Sequence, residues 1–458
     1  MEHLSVLLSR IQMAVTLTMH IIWPSINIGL ALFLCIMEAA WLKTKNPLYL
    51  KICKYWMKIF ALAFGMGVVS GVVMSYELGT NFGNFTNAIG EVLGSLFVYE
   101  VLTAFFVEAG FLGIMLFGWN RVSPKMHFLA TFMVMFGTFL SAFWIMSANS
   151  WMQVPAGTHM EGSKFVIDSW MATIFNPTLM HRFTHMVLAS YLTCTFFIIG
   201  ISAWYLLKQR HLDVAKTCFS FALWAAVLFA PLQIYIGDAV GLLVHKYQPL
   251  KTAAMEGVWN TQNGAPLVLF AIPDAKQEKN LFSIEIPHGA ALVNTHQWDG
   301  KLIGLKSVPK EDRPVVITTF YGFRIMVGIA LIFLLLCLFG LWYRYKGVLY
   351  EKKWFLWSCV LTTPLGIIAT IAGWFTAETG RQPWVVYNLL RTSQGASNLA
   401  TEQVGLSVTA FFIIYAIAIG FFIYYFLDIV KKGPEASVTE EKHGKKPAVI
   451  GYMHGAGE

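Results

Sequence analysis

Charge is what this sequence has least of: Asp, Glu, Lys and Arg make up 13% of its 458 residues, against 57% hydrophobic. Ordinary soluble domains are about one quarter charged, so the chain reads as an integral membrane protein. Cysteine is sparse and scattered. The six, Cys35, Cys53, Cys194, Cys218, Cys337 and Cys359, lie in or beside apolar runs with no CxxC pair, a pattern that fits neither a metal site nor a disulfide framework and predicts reduced thiols. No small-residue cleavage site follows the first apolar run, which is therefore expected to be a retained helix. No internal repeat stands out, and no histidine cluster suits copper.

What the chain does have is apolar length. A helix needs about 20 apolar residues to cross a bilayer, and runs near 11–42, 55–78, 92–119, 127–147, 181–207, 217–244, 316–343, 354–377 and 403–430 predict nine crossings and an all-α membrane protein. Lysine and arginine collect in alternate gaps, at Lys43 to Lys58, Arg121 and Lys125, Lys208 to Lys216, and Arg344 to Lys353. Positive flanks stay in the cytoplasm, which puts the N-terminus outside and the C-terminus inside. The formal net charge of +8 is largely accounted for by these gaps, so no nucleic-acid partner is indicated. The expected organisation is a membrane domain over 1–430, interrupted by an outer segment over 245–315, and then a polar cytoplasmic tail over 431–458 without periodicity. A segment as long as 245–315 is usually functional or disordered.

Several polar groups fall at membrane depth, where an ionisable side chain costs enough to mark a pathway or a cofactor. His20 precedes "IIWPSINIG"; alone, it is a buried histidine bonded to a carbonyl. His181 and His185 in "HRFTH" share a helix face, without the glutamate of a zinc-binding HExxH. Glu100 and Glu108 lie about 80° apart around a regular helix and about 12 Å along it. They suit a proton relay, or equally a pair of neutral, hydrogen-bonded acids at helix contacts. Arg324 and Met326 open the seventh run, where Met326 alone reads as packing. Glu378 and Arg381 close the eighth, where a helix-end ion pair is the plain explanation. Two histidines, a methionine and a glutamate near one leaflet have the chemistry of haem axial ligands.

The pieces "GRQPW" at 380–384, "FRIM" at 323–326, "KTAAMEG" at 251–257 and "FGWNR" at 117–121 resemble subunit I of cytochrome bd-type quinol oxidases, over nearly all of 1–430. The resemblance implies a low-spin haem b between His185 and Met326, with His181 not a ligand. It implies a high-spin haem b and a haem d at His20 and Glu378, leaving open which residue holds which and whether the third haem is d or b. Arg381 and Arg324 become candidates for binding propionates, and Trp374 for packing on the same haems. Lys251 and Glu256 match the residues of a quinol-binding loop, which is short here, as in the cyanide-insensitive branch. Glu108, Glu100 and Ser141 match a proton path, although Ala109 stands where other members can carry serine.

The implied activity is oxidation of ubiquinol or menaquinol at the outer face, with O2 reduced to water by protons from the cytoplasm. This would energise a prokaryotic inner membrane by charge separation without pumping. A second large subunit is implied, with room for a small single-helix one. Two rivals remain: a haem b protein that passes electrons from quinol elsewhere, and an ion-coupled transporter, although the inverted repeats and broken helices of the latter are not seen.

Overall fold

The computed structural model describes residues 2–434, so most of the predicted tail lies outside the described residues. Among the described residues, eleven helices of seven residues or more organise the chain: α1 (Glu2–Thr44), α2 (Pro47–Asn81), α3 (Gly83–Phe117), α4 (Pro124–Gln153), α5 (Leu179–Leu207), α6 (Leu212–Tyr247), α7 (Pro249–Glu256), α8 (Gly289–Thr295), α9 (Val316–Tyr345), α10 (Lys353–Thr379) and α11 (Thr401–Lys432). Among the described residues, nine helical spans, all but α7 and α8, are long and apolar enough to cross a membrane. The expected count of nine stands.

Local chemistry sets the helix boundaries. Asn46 caps α2 and Ser123 caps α4, each followed by proline at the first helical position, where its missing N–H costs nothing. Pro364 breaks α10 between Leu361 and Leu365. Pro24 inside α1 leaves the carbonyl of His20 without its usual intrahelical donor. The bundle is built around α1, which packs against α2, α4, α5, α10 and α11. Its core includes Leu30, Leu34, Ile52, Trp56, Phe60 and Phe219, all buried.

The structure revises α3. Two stretches, Gly90–Gly94 and Val101–Phe105, are π-helical, the i→i+5 form that recurs at functional sites. A π turn advances less per residue than an α turn, so the 80° offset expected between Glu100 and Glu108 shrinks. Both carboxylates face neighbouring turns of α4.

The long segment between α6 and α9 is a folded cap. It contains α7, α8 and the antiparallel hairpin of β1 (Leu267–Asp274) and β2 (Lys279–Ile286). Ala253, Val258, Trp259, Ala290, Leu302 and Leu305 form its own small core. Glu278 pins the hairpin to the chain entering α9 through Arg313 at 2.9 Å and Lys310 at 3.2 Å.

Candidate functional site

The densest polar cluster lies where the ends of α4 and α10, the start of α5 and the cap helix α7 meet. Glu378 accepts from Asn149 at 2.9 Å and Gln153 at 3.2 Å, and pairs with Arg381. Arg182, on α5, donates to Asn149 at 2.5 Å. Lys251 donates to Gln153 Oε1 at 2.5 Å, and Gln248 fixes the Gln153 carbonyl at 2.8 Å. Three basic side chains, Arg182, Lys251 and Arg381, thus surround one carboxylate. Nε and Nη1 of Arg381 and Nε of Arg182 are buried without a protein partner. Buried donors are nearly always satisfied, so this cluster is short of acceptors and fits acidic groups such as haem propionates.

Lys251 and Glu256 part company on α7. Lys251 is 2% exposed; burial, reinforced by Arg182 and Arg381 against the opposing Glu378, holds its amine well below its ordinary pKa. Glu256 is 0% exposed and faces the cap, accepting from Asn294 at 2.9 Å with Arg324 at 3.9 Å. Burial raises its pKa, while Asn294 and Arg324 pull it back. Its Oε2 is buried without a hydrogen bond. Position 251 to position 256 is about 140° around a helix, enough to send the two side chains to different sites.

Arg324 donates to the carbonyls of Met255 at 2.5 Å and Phe320 at 3.1 Å, and to that of Val268 through Nε at 2.9 Å. Its guanidinium lies 3.3 Å from the centre of the Phe320 ring. This arrangement clamps the cap onto α9 and occupies the donors that would otherwise meet a propionate.

The other candidate ligands lie inside the bundle. His20 contacts Ser70 Oγ at 3.0 Å, and a Cβ on Gly71 would come within 3.2 Å of its ring. His185 contacts Gln233 Nε2 at 3.3 Å, and a Cβ on Gly237 would come within 3.2 Å of it. Met326 Sδ would lie 2.7 Å from a Cβ on Gly373. Each of the three therefore has a glycine of a neighbouring helix against it, so that no Cβ crowds the ring or the sulfur. His181 is exposed. Trp374 is half-buried against Phe375, with ring centres 5.0 Å apart.

On α3, Glu100 accepts from Ser141 at 2.7 Å, and a Cβ on Gly137 would stand 2.7 Å from Glu108 Cγ. Gly137 and Ser141 are one turn apart on α4, so the two acids and the hydroxyl form one polar seam. All six cysteines are free and buried.

The chain matches the family described as cytochrome bd terminal oxidase subunit I over residues 8–434. It belongs to this family. A "Cytochrome bd ubiquinol oxidase subunit 1" of Bacillus subtilis is 34% identical, covering 93% of this chain and 94% of the relative. A "Cytochrome bd-II ubiquinol oxidase subunit 1" of Escherichia coli is 32% identical, covering 95% and 98%. Its alignment runs to 502 positions against 458 residues here, so that relative carries residues this chain lacks. The solved bd oxidase from Geobacillus thermodenitrificans superposes with a TM-score of 0.86 at 29% identity, covering 94% of this chain and 99% of that one.

Family membership makes the chain a subunit of a respiratory terminal oxidase, a quinol:oxygen oxidoreductase. With its nine spans, it is a multi-pass protein of the bacterial inner membrane. The family implies haem cofactors, a quinol substrate and a complex of more than one subunit.

Proposed function

We propose that the cap is the quinol-oxidising site and that His185 with Met326, His20 and Glu378 hold the haems. The pair His185 and Met326 suits a low-spin haem b; His20 and Glu378 suit a high-spin haem b and a haem d, or a further haem b in its place. The observation that carries this reading is the cluster around Glu378, where buried arginine donors without protein partners await acidic groups. When bound, the haems carry electrons from quinol to oxygen.

The remaining work falls to side chains. Glu256, buried with one oxygen that makes no hydrogen bond, takes a proton from a quinol hydroxyl. Asn294 and Arg324 fix its carboxylate and join the cap to α9. Lys251 belongs to the Glu378 cluster, where it links the cap helix to the haem-holding end of α10 through Gln153. Arg381 and Arg182 neutralise propionates, a task for which a planar and permanently charged fork is suited. Glu108 and Glu100, with the Ser141 hydroxyl between α3 and α4, pass protons towards the oxygen site. The lysine- and arginine-rich gaps at the opposite end support a cap facing outward, so that protons released and protons consumed lie on opposite sides. This separation needs no pump.

The expected partner is a second large membrane subunit, subunit II, with room for a small single-helix one. Quinol-driven oxygen consumption by the purified complex tests the assignment: it is expected to cease in Glu378→Ala and His20→Ala, and full activity in both would overturn it.

A further inference from the structure

Two fully buried acids take no part in this account: Glu38, which is satisfied by His127 at 2.6 Å and Thr131 at 2.6 Å, and Glu77, which is not. Glu77, about one turn before the end of α2, is 0% exposed, and neither of its carboxyl oxygens has a hydrogen-bond partner. Thr16 on α1 lies beside it, and Tyr415 on α11 lies beside Thr16. The hydroxyls of Thr16 and Tyr415 are also buried and unpartnered. Four such atoms gathered between three helices make a buried polar site short of partners, a condition that ordered water commonly meets.

The site lies on a polar column. On α1, Ser5, Ser9, Gln12, Thr16 and His20 fall within roughly 80° of one line over about 22 Å, and the first four are buried. On α2, Ser70 and Glu77 stand two turns apart on the same face. Ser70 bonds His20 at 3.0 Å. Towards the cap-side end, Gln12 accepts from Asn81 at 3.1 Å and donates to Ser407 of α11 at 3.0 Å. Arg10 is engaged with Gln382 at 3.2 Å, and Glu402 is exposed. Among the described residues, no charged side chain bonds to Glu77 from α1, α2 or α11.

We propose that Glu77, with Thr16 and Tyr415, binds ordered water and acts as a protonatable site that balances charge at the haem held through His20, exchanging its proton with the cap-side face. When that centre gains one electron from quinol, the Glu77 carboxylate takes one proton from cap-side water. When the electron leaves for oxygen, the proton returns. The inference rests on the reading of His20 as a haem ligand.

The test uses the intact oxidase complex. The midpoint potential of the haem lost in His20→Ala is titrated against pH in the native enzyme, Glu77→Gln and Glu77→Asp, alongside reduced-minus-oxidised infrared spectra in H2O and D2O. The native enzyme and Glu77→Asp are expected to show a potential that falls as pH rises and a protonated-carboxyl band that shifts in D2O. Glu77→Gln is expected to lose both. An unchanged slope and band in Glu77→Gln overturns the inference. If Glu77→Gln does not assemble, Tyr415→Phe decides: the band is expected to shift, and an unshifted band overturns it. Retention of every haem in His20→Ala sinks the ligand reading instead, whatever the Glu77 band does.

Discussion

Lys251 and Glu256 lie on the same two-turn helix, yet Lys251 reaches Gln153 and the Glu378 cluster while Glu256 reaches Asn294 inside the cap. Both are buried, and each would be costly to bury without its own partners. One short helix therefore joins the cap to the end of α10 that carries Glu378.

The two residues should consequently fail differently. Lys251→Met is expected to alter the visible spectrum or potential of the haem at Glu378, with activity down about 10- to 100-fold, as for other groups that orient a metal ligand. Glu256→Gln is expected to leave the spectrum intact and lower quinol kcat/KM by about 100-fold or more, the usual loss of a general base. Identical spectra in Lys251→Met and native enzyme would contradict the division.

The pH dependence of quinol oxidation follows from Glu256. Its pKa is raised by burial, so the carboxyl keeps its proton to higher pH than a free glutamate and cannot act as a base below that point. Activity is expected to rise with pH through this raised value and level off above it, and the rise should be absent in Glu256→Gln. Steady-state rates across a pH series check the sign.

Much of this was legible in the sequence. The nine crossings followed from apolar length alone, because the bilayer fixes the length of a spanning helix. The helix α7 was not read within the outer segment, although local signals bound it: Pro249 opens the helix, and Gly257, at φ 70°, closes it in the left-handed conformation that glycine favours. The π turns of α3 leave no mark in composition, since they differ only in which carbonyl each N–H finds. Arg182 was in view within "HRFTH", where only the histidines drew weight; an arginine at a membrane helix end needs a partner, and that was the signal. Asn149 and Gln153 carry no such cost, and only the packing of α4 against α10 and the cap exposes their role.

Room beside the sulfur of Met326 depends on Gly373. Gly373→Ala would bring a Cβ to 2.7 Å from Sδ, so the methionine must move and the low-spin haem spectrum is expected to change. Gly328→Ala, where nothing lies within 4 Å, serves as the control and should leave the spectrum native. Matching spectra in the two variants would contradict the assignment of Met326.

The α3–α4 seam predicts graded losses. Glu108→Gln is expected to slow oxygen reduction by about 100-fold. Ser141→Ala, which removes one hydrogen bond to Glu100, is expected to slow it by about fivefold, equivalent to about 1 kcal/mol. Both should retain native haem spectra. Time-resolved oxygen reduction by the fully reduced enzyme separates these effects from slow quinol delivery.

The central claim, that this chain holds the haems of an oxygen-reducing quinol oxidase, is tested most directly by the reduced-minus-oxidised visible spectrum of the purified complex with and without carbon monoxide. The account predicts b-type bands together with a component that shifts on carbon monoxide binding; a red chlorin band among the shifted features would identify haem d at the oxygen site. A spectrum without haem, or haem bands indifferent to carbon monoxide, would contradict it.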